Sequence, residues 1–514
     1  MRRAALPFVV ALVAALSGGA LAASPASGAP AAAVRAAEPA DGDLAVAEPP
    51  TLNPGPGQYV PLPPAVIQTF SLLPGQTGTV KVTEARGVPE AGQVSAVALQ
   101  VVADNAAAAG SVQVFPAGPR PSDSLLYVAP GRSASSFETV RVSADGEVSV
   151  NATAGTRVSL RLRGYYTSAG TTSAGGTYLP LPPAKLVNAV PLPAGGTQDI
   201  VIAGRNGVPA DGTVTAVALQ VAATNPQGIG YLSTFPAGAT VNRNTYGSVF
   251  YPAGLSRAGL DVVKVTQSGT VTVSTSAAAT VHIWLRGYYQ SPEGRRGGAA
   301  FVPLDPTVLV NNVPVTAGST TTRGLAGIGG IPADPRRIAA VELRTVAVGP
   351  TSSSWIQTWP GGTRPSDVSV YFANGVTTGG VDVSYPSVNG EVNFFANGAT
   401  RLSVRLRGYF KRPDRPGAPT SLEAIPGDGR VTLRWAPPAD DGGAVVAGYN
   451  IGGGRTADDG TPIFTTQYPA TPTELVLTGL RNGTTYRYWI STATGGATSE
   501  LVQFPLFTPQ APAG

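Results

Sequence analysis

Residues 157–166 read RVSLRLRGYY, and the alternation inside that stretch decides the fold. Val158, Leu160 and Leu162 share one parity, while Ser159, Arg161 and Arg163 share the other. A hydrophobic period of two marks a β-strand with one face on a core. The arginines are therefore expected to face outward, with Gly164 letting the chain bend or pack closely before the aromatic pair. The ending recurs as WLRGYY at 284–289 and RLRGYF at 405–410, and the closing glycines Gly164, Gly287 and Gly408 lie 123 and then 121 residues apart.

Working outward, other landmarks keep the same order. YVPLPP at 59, YLPLPP at 178 and FVPLDP at 301 open the copies. VSAVALQV, VTAVALQV and IAAVELRT follow, then VFPAG at 114, TFPAG at 234 and TWPGG at 358. A period this long is a whole domain in tandem and not a solenoid unit. Val97, Leu99 and Val101 alternate with Ala98 and Gln100, and the Asp-Gly and Asn-Gly pairs of DGEV at 145 and NGEV at 389 are hairpin signals. The expected fold class is all-β, as three homologous antiparallel β-sandwiches of roughly 105–110 residues each. They occupy 59–166, 178–289 and 301–410, with linkers at 167–177 and 290–300.

The 514 residues include 64 Gly and 48 Pro but only 13% charged residues, which suits short strands and frequent turns. The net charge is +5, and apart from Lys81, Lys185, Lys264 and Lys411 the cations are scattered arginines. Nucleic acid would need a concentrated basic footprint, so no nucleic-acid partner is expected. Cysteine is absent, which excludes disulfides, thiolate metal sites and cysteine nucleophiles. Residues 1–22, MRRAALPFVVALVAALSGGALA, read as a secretory signal peptide, with two arginines, an apolar run and a small-residue ending. Residues 23–58 are Ala/Pro-rich without periodicity and are expected to be a disordered spacer. The mature chain is expected to be extracellular, free or cell-wall associated, with no membrane contact once the signal is cleaved.

Candidate chemistry is sparse. The single histidine, His282, stands where the other copies have Ser159 and Ser403, on the outward parity of the closing strand, so histidine-dependent hydrolysis is not expected. Glu147 and Glu391 flank equivalent hairpins, but copy two has Thr270 there, which argues against a shared carboxylate pair. Asp440 and Asp441 lack the oxygen series of a calcium loop, and no phosphate-cradling motif occurs. No cofactor and no metal are expected, and the chain is read as non-enzymatic. One strand face carries Tyr231 in copy two and Trp355, Gln357 and Trp359 in copy three. Exposed, these aromatics suit stacking on sugar rings; otherwise they pack on the Pro-rich opening strand or a neighbouring domain.

The order GVP, AVALQV, FPAG, RGYY over about residues 59–410 resembles the tandem extracellular repeats, ending in Gly-Tyr-Phe, of secreted proteins from high-GC Gram-positive bacteria. That resemblance implies surface or extracellular work, although the Asp-Thr-Arg motif common there is replaced by AVIQTF, AKLVNAV and TVLVNNV. Residues 413–514 resemble a fibronectin type III domain, through VTLRW, AGYNI and LTGLRNGTTYRYWI. The resemblance implies that Trp435 and Tyr449 are core residues and that Leu480 and Tyr486 form the corner before a late strand. Gly164, Gly287 and Gly408 join them as structural positions. The expected function is binding, adhesion or spacing on an extracellular polysaccharide or cell-wall polymer. A docking role on a secreted protein, enzyme or toxin is the alternative, and a carboxylate-pair polysaccharide hydrolase is the least supported reading.

Overall fold

The computed structural model describes residues 57–121, 126–169, 175–239, 246–291, 298–438, 446–455, 464–494 and 497–511. The signal peptide at 1–22, the spacer up to residue 56, and Asp440 and Asp441 lie outside the described residues. Among the described residues there are only strands, turns and two short 3-10 segments.

Copy one contains eight strands: β1 (Tyr59–Leu72), β2 (Thr77–Lys81), β3 (Val94–Asp104), β4 (Gly110–Pro116), β5 (Leu126–Val128), β6 (Ala134–Arg141), β7 (Glu147–Ala152) and β8 (Thr156–Thr167). They form an inner sheet ordered β1-β8-β3-β6 and an outer sheet ordered β2-β7-β4-β5. That interleaving is the eight-stranded jelly roll. Copies two and three repeat it strand for strand, from Thr177 to Gln290 and from Ala300 to Lys411. β1 carries the prolines and two bulges against β8, and it lies at a sheet edge, where a residue without an N–H costs least. The expected core parity is found: Val97, Leu99, Val101, Val158, Leu160 and Leu162 pack against Val148 and Val150 of the outer sheet.

The other parity does not meet water. Ala96 and Ala98 pack with their counterparts Ala216, Ala218 and Ala340 in a cluster drawn from all three copies. The small side chains let three inner sheets approach one another. Backbone pairing closes the set in a cycle: Tyr59 bridges Gly176, Tyr178 bridges Ala299, and Phe301 bridges Gly57. The last residues of the expected spacer, Gly57 and Gln58, therefore belong to the fold, as do Gly175, Gly176 and Ala299 of the expected linkers. The three sandwiches form one pseudo-threefold head.

Six fully buried rings fill its centre. The opening aromatic of each copy lies against the closing aromatic of the next: Tyr59 on Tyr289 at 4.6 Å, Tyr178 on Phe410 at 4.3 Å, and Phe301 on Tyr166 at 4.5 Å between centroids. Alternation explains the doubled aromatic after glycine, because Tyr165, Tyr288 and Tyr409 enter their own sandwich cores while the following ring points to the axis. It also explains the glycine. A Cβ on Gly164 would stand 2.5 Å from the Val60 carbonyl oxygen, and one on Gly287 would stand 2.5 Å from both the Leu179 carbonyl oxygen and the Tyr178 hydroxyl.

The arginines expected to face outward do leave their own sandwich, but they enter the neighbouring one. Arg163 pairs with Asp261 at 3.1 Å, Arg286 pairs with Asp382 at 2.7 Å and also with Asp367, and Arg407 approaches Glu138 at 3.8 Å. All these side chains are buried. Glu138, Asp261 and Asp382 keep the same spacing as the glycines, so the girdle obeys the threefold relation. Copies three and one add Arg344, 2.5 Å from Glu138, in the position of Gln100 and Gln220. Those glutamines instead donate Nε2–H to the carbonyls of Ser248 and Ser369 across their own junctions.

Glu342 stands where the other copies have Ala98 and Ala218, and it accepts a hydrogen bond from Thr139 at 2.8 Å. Burial, with Glu138 nearby, pushes its carboxyl from 4.5 up to about 7, and burial raises Asp382 to about 6. An acid whose folded value is raised holds its proton better folded than unfolded. Its contribution is present below the unfolded value and is lost as pH rises through the folded one.

Two outcomes follow. Gly287→Ala, which forces backbone and the central rings apart, is expected to cost about 1–3 kcal/mol in urea denaturation; an unchanged midpoint would show that the rings do not rest on that glycine. The head is expected to lose stability between about pH 5 and about pH 8, and Glu342→Gln should remove about 2–3 kcal/mol of that loss. A slope identical in the variant would contradict the buried, proton-holding carboxyl.

Candidate functional site

The candidate sugar platform is only partly on the surface. Ile356 enters the core of copy three, as its parity requires, so Trp355, Gln357 and Trp359 share the opposite face of the outer sheet. Gln357 and Trp359 are nevertheless covered, with 1% and 7% of their surfaces exposed. Gln357 donates to the Pro365 carbonyl at 2.6 Å and also bonds Asp367, the residue that holds Arg286. The segment after the Trp-Pro turn thus folds back over the sheet and recruits the glutamine to the junction between copies two and three. A pair of exposed tryptophans is not present.

Trp355 remains half-buried. Its ring centroid is 5.5 Å from that of Phe395, and the exposed Arg364 guanidinium lies 3.6 Å above Phe395 and 5.7 Å from Trp355. Tyr371 is its register partner on the next strand. In copy two, Tyr231 is half-buried and packs 5.2 Å from Phe250, over which Arg161 of copy one extends. The two aromatic sites therefore do not form one surface: Tyr231 belongs to a junction, and Trp355 to an outer face.

His282 is half-buried rather than freely solvated. It stacks on Trp284 at 5.6 Å with an interplanar angle of 7°, and Nδ1 accepts from the Ala189 N–H while Nε2 meets the Thr224 hydroxyl at 3.1 Å. Burial, then Lys185, holds its pKa below 6.5, so near neutral pH it is an uncharged strand residue bonded to backbone and threonine. Glu147 and Glu391 donate their backbone N–H groups to the Ser143 and Ser387 hydroxyls in equivalent hairpins of two separate copies.

Sequence reasoning missed a cavity that the three copies build together. The equivalent turns after the fifth strand, at residues 126–135, 249–258 and 375–379, converge around a space of about 510 Å³. Gly131, Gly254 and Gly375 sit at positive φ in these turns, and their N–H groups donate to Ala106, Pro226 and Pro350 of the preceding loops, fixing each turn. Tyr127, Phe250, Ser111, Ser133, Thr153 and Thr377 contribute to the walls. Arg132 comes from copy one and Arg257 from copy two, and no Asp or Glu lines the space among the described residues. Burial first, then the charge of Arg132, lowers Arg257 to about 10. The only signal in sequence was a difference: Ala134 and Thr378 replace Arg257, and Leu255 and Val376 replace Arg132.

The C-terminal residues form a second kind of sandwich, with sheets made by Thr420–Gly427, Arg430–Ala436 and Glu474–Thr478 on one side and Phe464–Pro469, Val446–Arg455, Tyr486–Thr494 and Val502–Gln503 on the other. Trp435 packs edge-on to Tyr449 at 5.2 Å, and Leu480 lies against the same core. The Tyr486 hydroxyl accepts the Arg481 N–H at 2.9 Å, the corner that locks the turn into the following strand. Arg337 and Lys411 of the head both pair with Asp414 at the junction. Similar solved structures include an Fn3-like protein from Clostridium thermocellum, 24% identical over 20% of this chain and 98% of that one, TM-score 0.16. The fn3 domain of the human collagen alpha-1(XX) chain is 20% identical over 20% of this chain and 90% of that one, TM-score 0.17. The twitchin kinase region from C. elegans is 24% identical over 19% of this chain and 17% of that one, TM-score 0.17, so the match spans less than a fifth of that relative. The fibronectin type III family model matches residues 417–504, and this part of the chain is a fibronectin type III domain.

Proposed function

We infer that the protein is a secreted, non-enzymatic binding module that presents a rigid three-lobed head and a fibronectin type III domain to an extracellular polysaccharide or cell-wall polymer. The observation that carries this reading is the use to which the buried acids are put. Glu138, Asp261, Glu342 and Asp382 are fully enclosed between copies, where they join lobes and cannot reach a substrate. The surface left over is outer sheet and loop, and among its partly open aromatics Trp355 stands with Phe395 and Arg364 on the outer face of copy three. An indole beside a cation suits the apolar face and hydroxyl rim of a sugar. The signal-like N-terminal sequence and the fibronectin type III module support an extracellular site of action.

Docking to a secreted protein is the second reading, favoured by Ile425 and Val476. These residues are 44% and 49% exposed on the outer face of one fibronectin type III sheet, flanking Thr432 in register. The mature protein is expected to sediment with at least one of insoluble peptidoglycan, chitin and cellulose, and Trp355→Ala should weaken that by about fivefold, the worth of one aromatic contact near 1 kcal/mol. No sedimentation with any polymer, together with capture of a protein from culture supernatant, would replace the polymer reading by the docking one.

A further inference from the structure

We propose that the cavity where the three copies meet is a binding site for an acidic sugar, a uronate residue whose carboxylate lies between Arg132 and Arg257. The proposal rests on the extracellular polymer-binding reading for its choice of ligand, but it uses different residues from the Trp355 face.

The argument begins with charge. Arg257 is partly buried, and its Nη1 donates to the carbonyl of its own neighbour Ser256. Neither Arg257 nor Arg132 makes an ion pair among the described residues, and each sits in the other's field. Elsewhere in the head, the buried Arg163, Arg286 and Arg344 are each matched by a carboxylate, while the buried Arg161 lies over the Phe250 ring instead. A partly buried guanidinium beside a second one, without a counter-ion, is costly unless an anion completes it. Planar donors paired in this way suit the two oxygens of a carboxylate.

Size and lining narrow the anion. About 510 Å³ lies within the range of small-molecule sites and is far more than an inorganic ion fills. The walls mix Tyr127 and Phe250 with the hydroxyls of Ser111, Ser133, Thr153 and Thr377, the apolar and polar contacts that a pyranose ring and its hydroxyls require. The site is also composite. One arginine comes from each of two copies and a wall from the third, so it exists only when the head closes. Threefold repetition would place Arg257 in every lobe, yet Ala134 and Thr378 leave room where a second and third guanidinium would crowd the axis.

The test is calorimetric titration of the mature protein with trigalacturonate, maltotriose and inorganic phosphate at low salt. Trigalacturonate is expected to bind and to weaken as salt rises, and maltotriose is expected to give no heat. Arg257→Met and Arg132→Met should each reduce trigalacturonate affinity about tenfold or more. Without ligand, Arg257→Met should melt higher than the parent, because it removes an uncompensated charge; this readout also shows that the variant folds. Trp355→Ala should leave trigalacturonate binding unchanged. Absence of trigalacturonate binding, or binding unaltered in folded Arg257→Met, would overturn the proposal, as would phosphate binding as tightly as trigalacturonate, which would make the cavity a simple anion site. If trigalacturonate fails while sedimentation still depends on Trp355, this proposal falls and the polymer-binding reading stands.

Discussion

The guanidinium that each closing strand sends into the next copy holds the head together. Arg163, Arg286 and Arg407 leave the inner sheets of their own sandwiches and meet Asp261, Asp382 and Glu138 in a cycle. Each acid is buried, so the charge has no alternative partner in water. Removing one member of such a pair strands the other in a low-dielectric junction at a cost of about 3–5 kcal/mol, although replacing both by apolar groups is often neutral. The girdle therefore acts more by forbidding other arrangements than by raising stability: each closing arginine is left uncompensated unless it reaches the acid of the next copy.

Inside the girdle, the six axial rings and the inward alanines provide the apolar burial that offsets the cost of enclosing charge. The closing glycines allow the opening rings to lie directly on the strand that carries the arginine, so the hub and girdle are joined through the same few residues. The copies have diverged where threefold repetition would be costly. Arg344 and Glu342 enter only in copy three, and the paired arginines of the axial cavity come one each from copies one and two.

Much of this was legible in the sequence, and the limit has a physical reason. Alternation placed Leu160, Leu162 and Val101 in the core, and fibronectin type III residues such as Trp435, Tyr449 and Tyr486 stand where the resemblance implied. Alternation says which side of a sheet a residue takes, but not what lies on that side. Outward Arg163, Gln100 and Ala98 thus met another lobe, and Gln357 met its own returning segment. Two signals could have revealed the closure: an acid repeating at the interval of the arginines, and an aromatic at both ends of every copy. The cavity had no such signal, because Arg132 and Arg257 become neighbours only through packing between copies.

Differential scanning calorimetry of the mature protein tests the closed head most directly. Residues 57–411 should melt in one cooperative transition with equal calorimetric and van't Hoff enthalpies, beside a separate transition for the fibronectin type III domain. Independent melting of the three sandwiches, with a calorimetric enthalpy about three times the van't Hoff value, would contradict it.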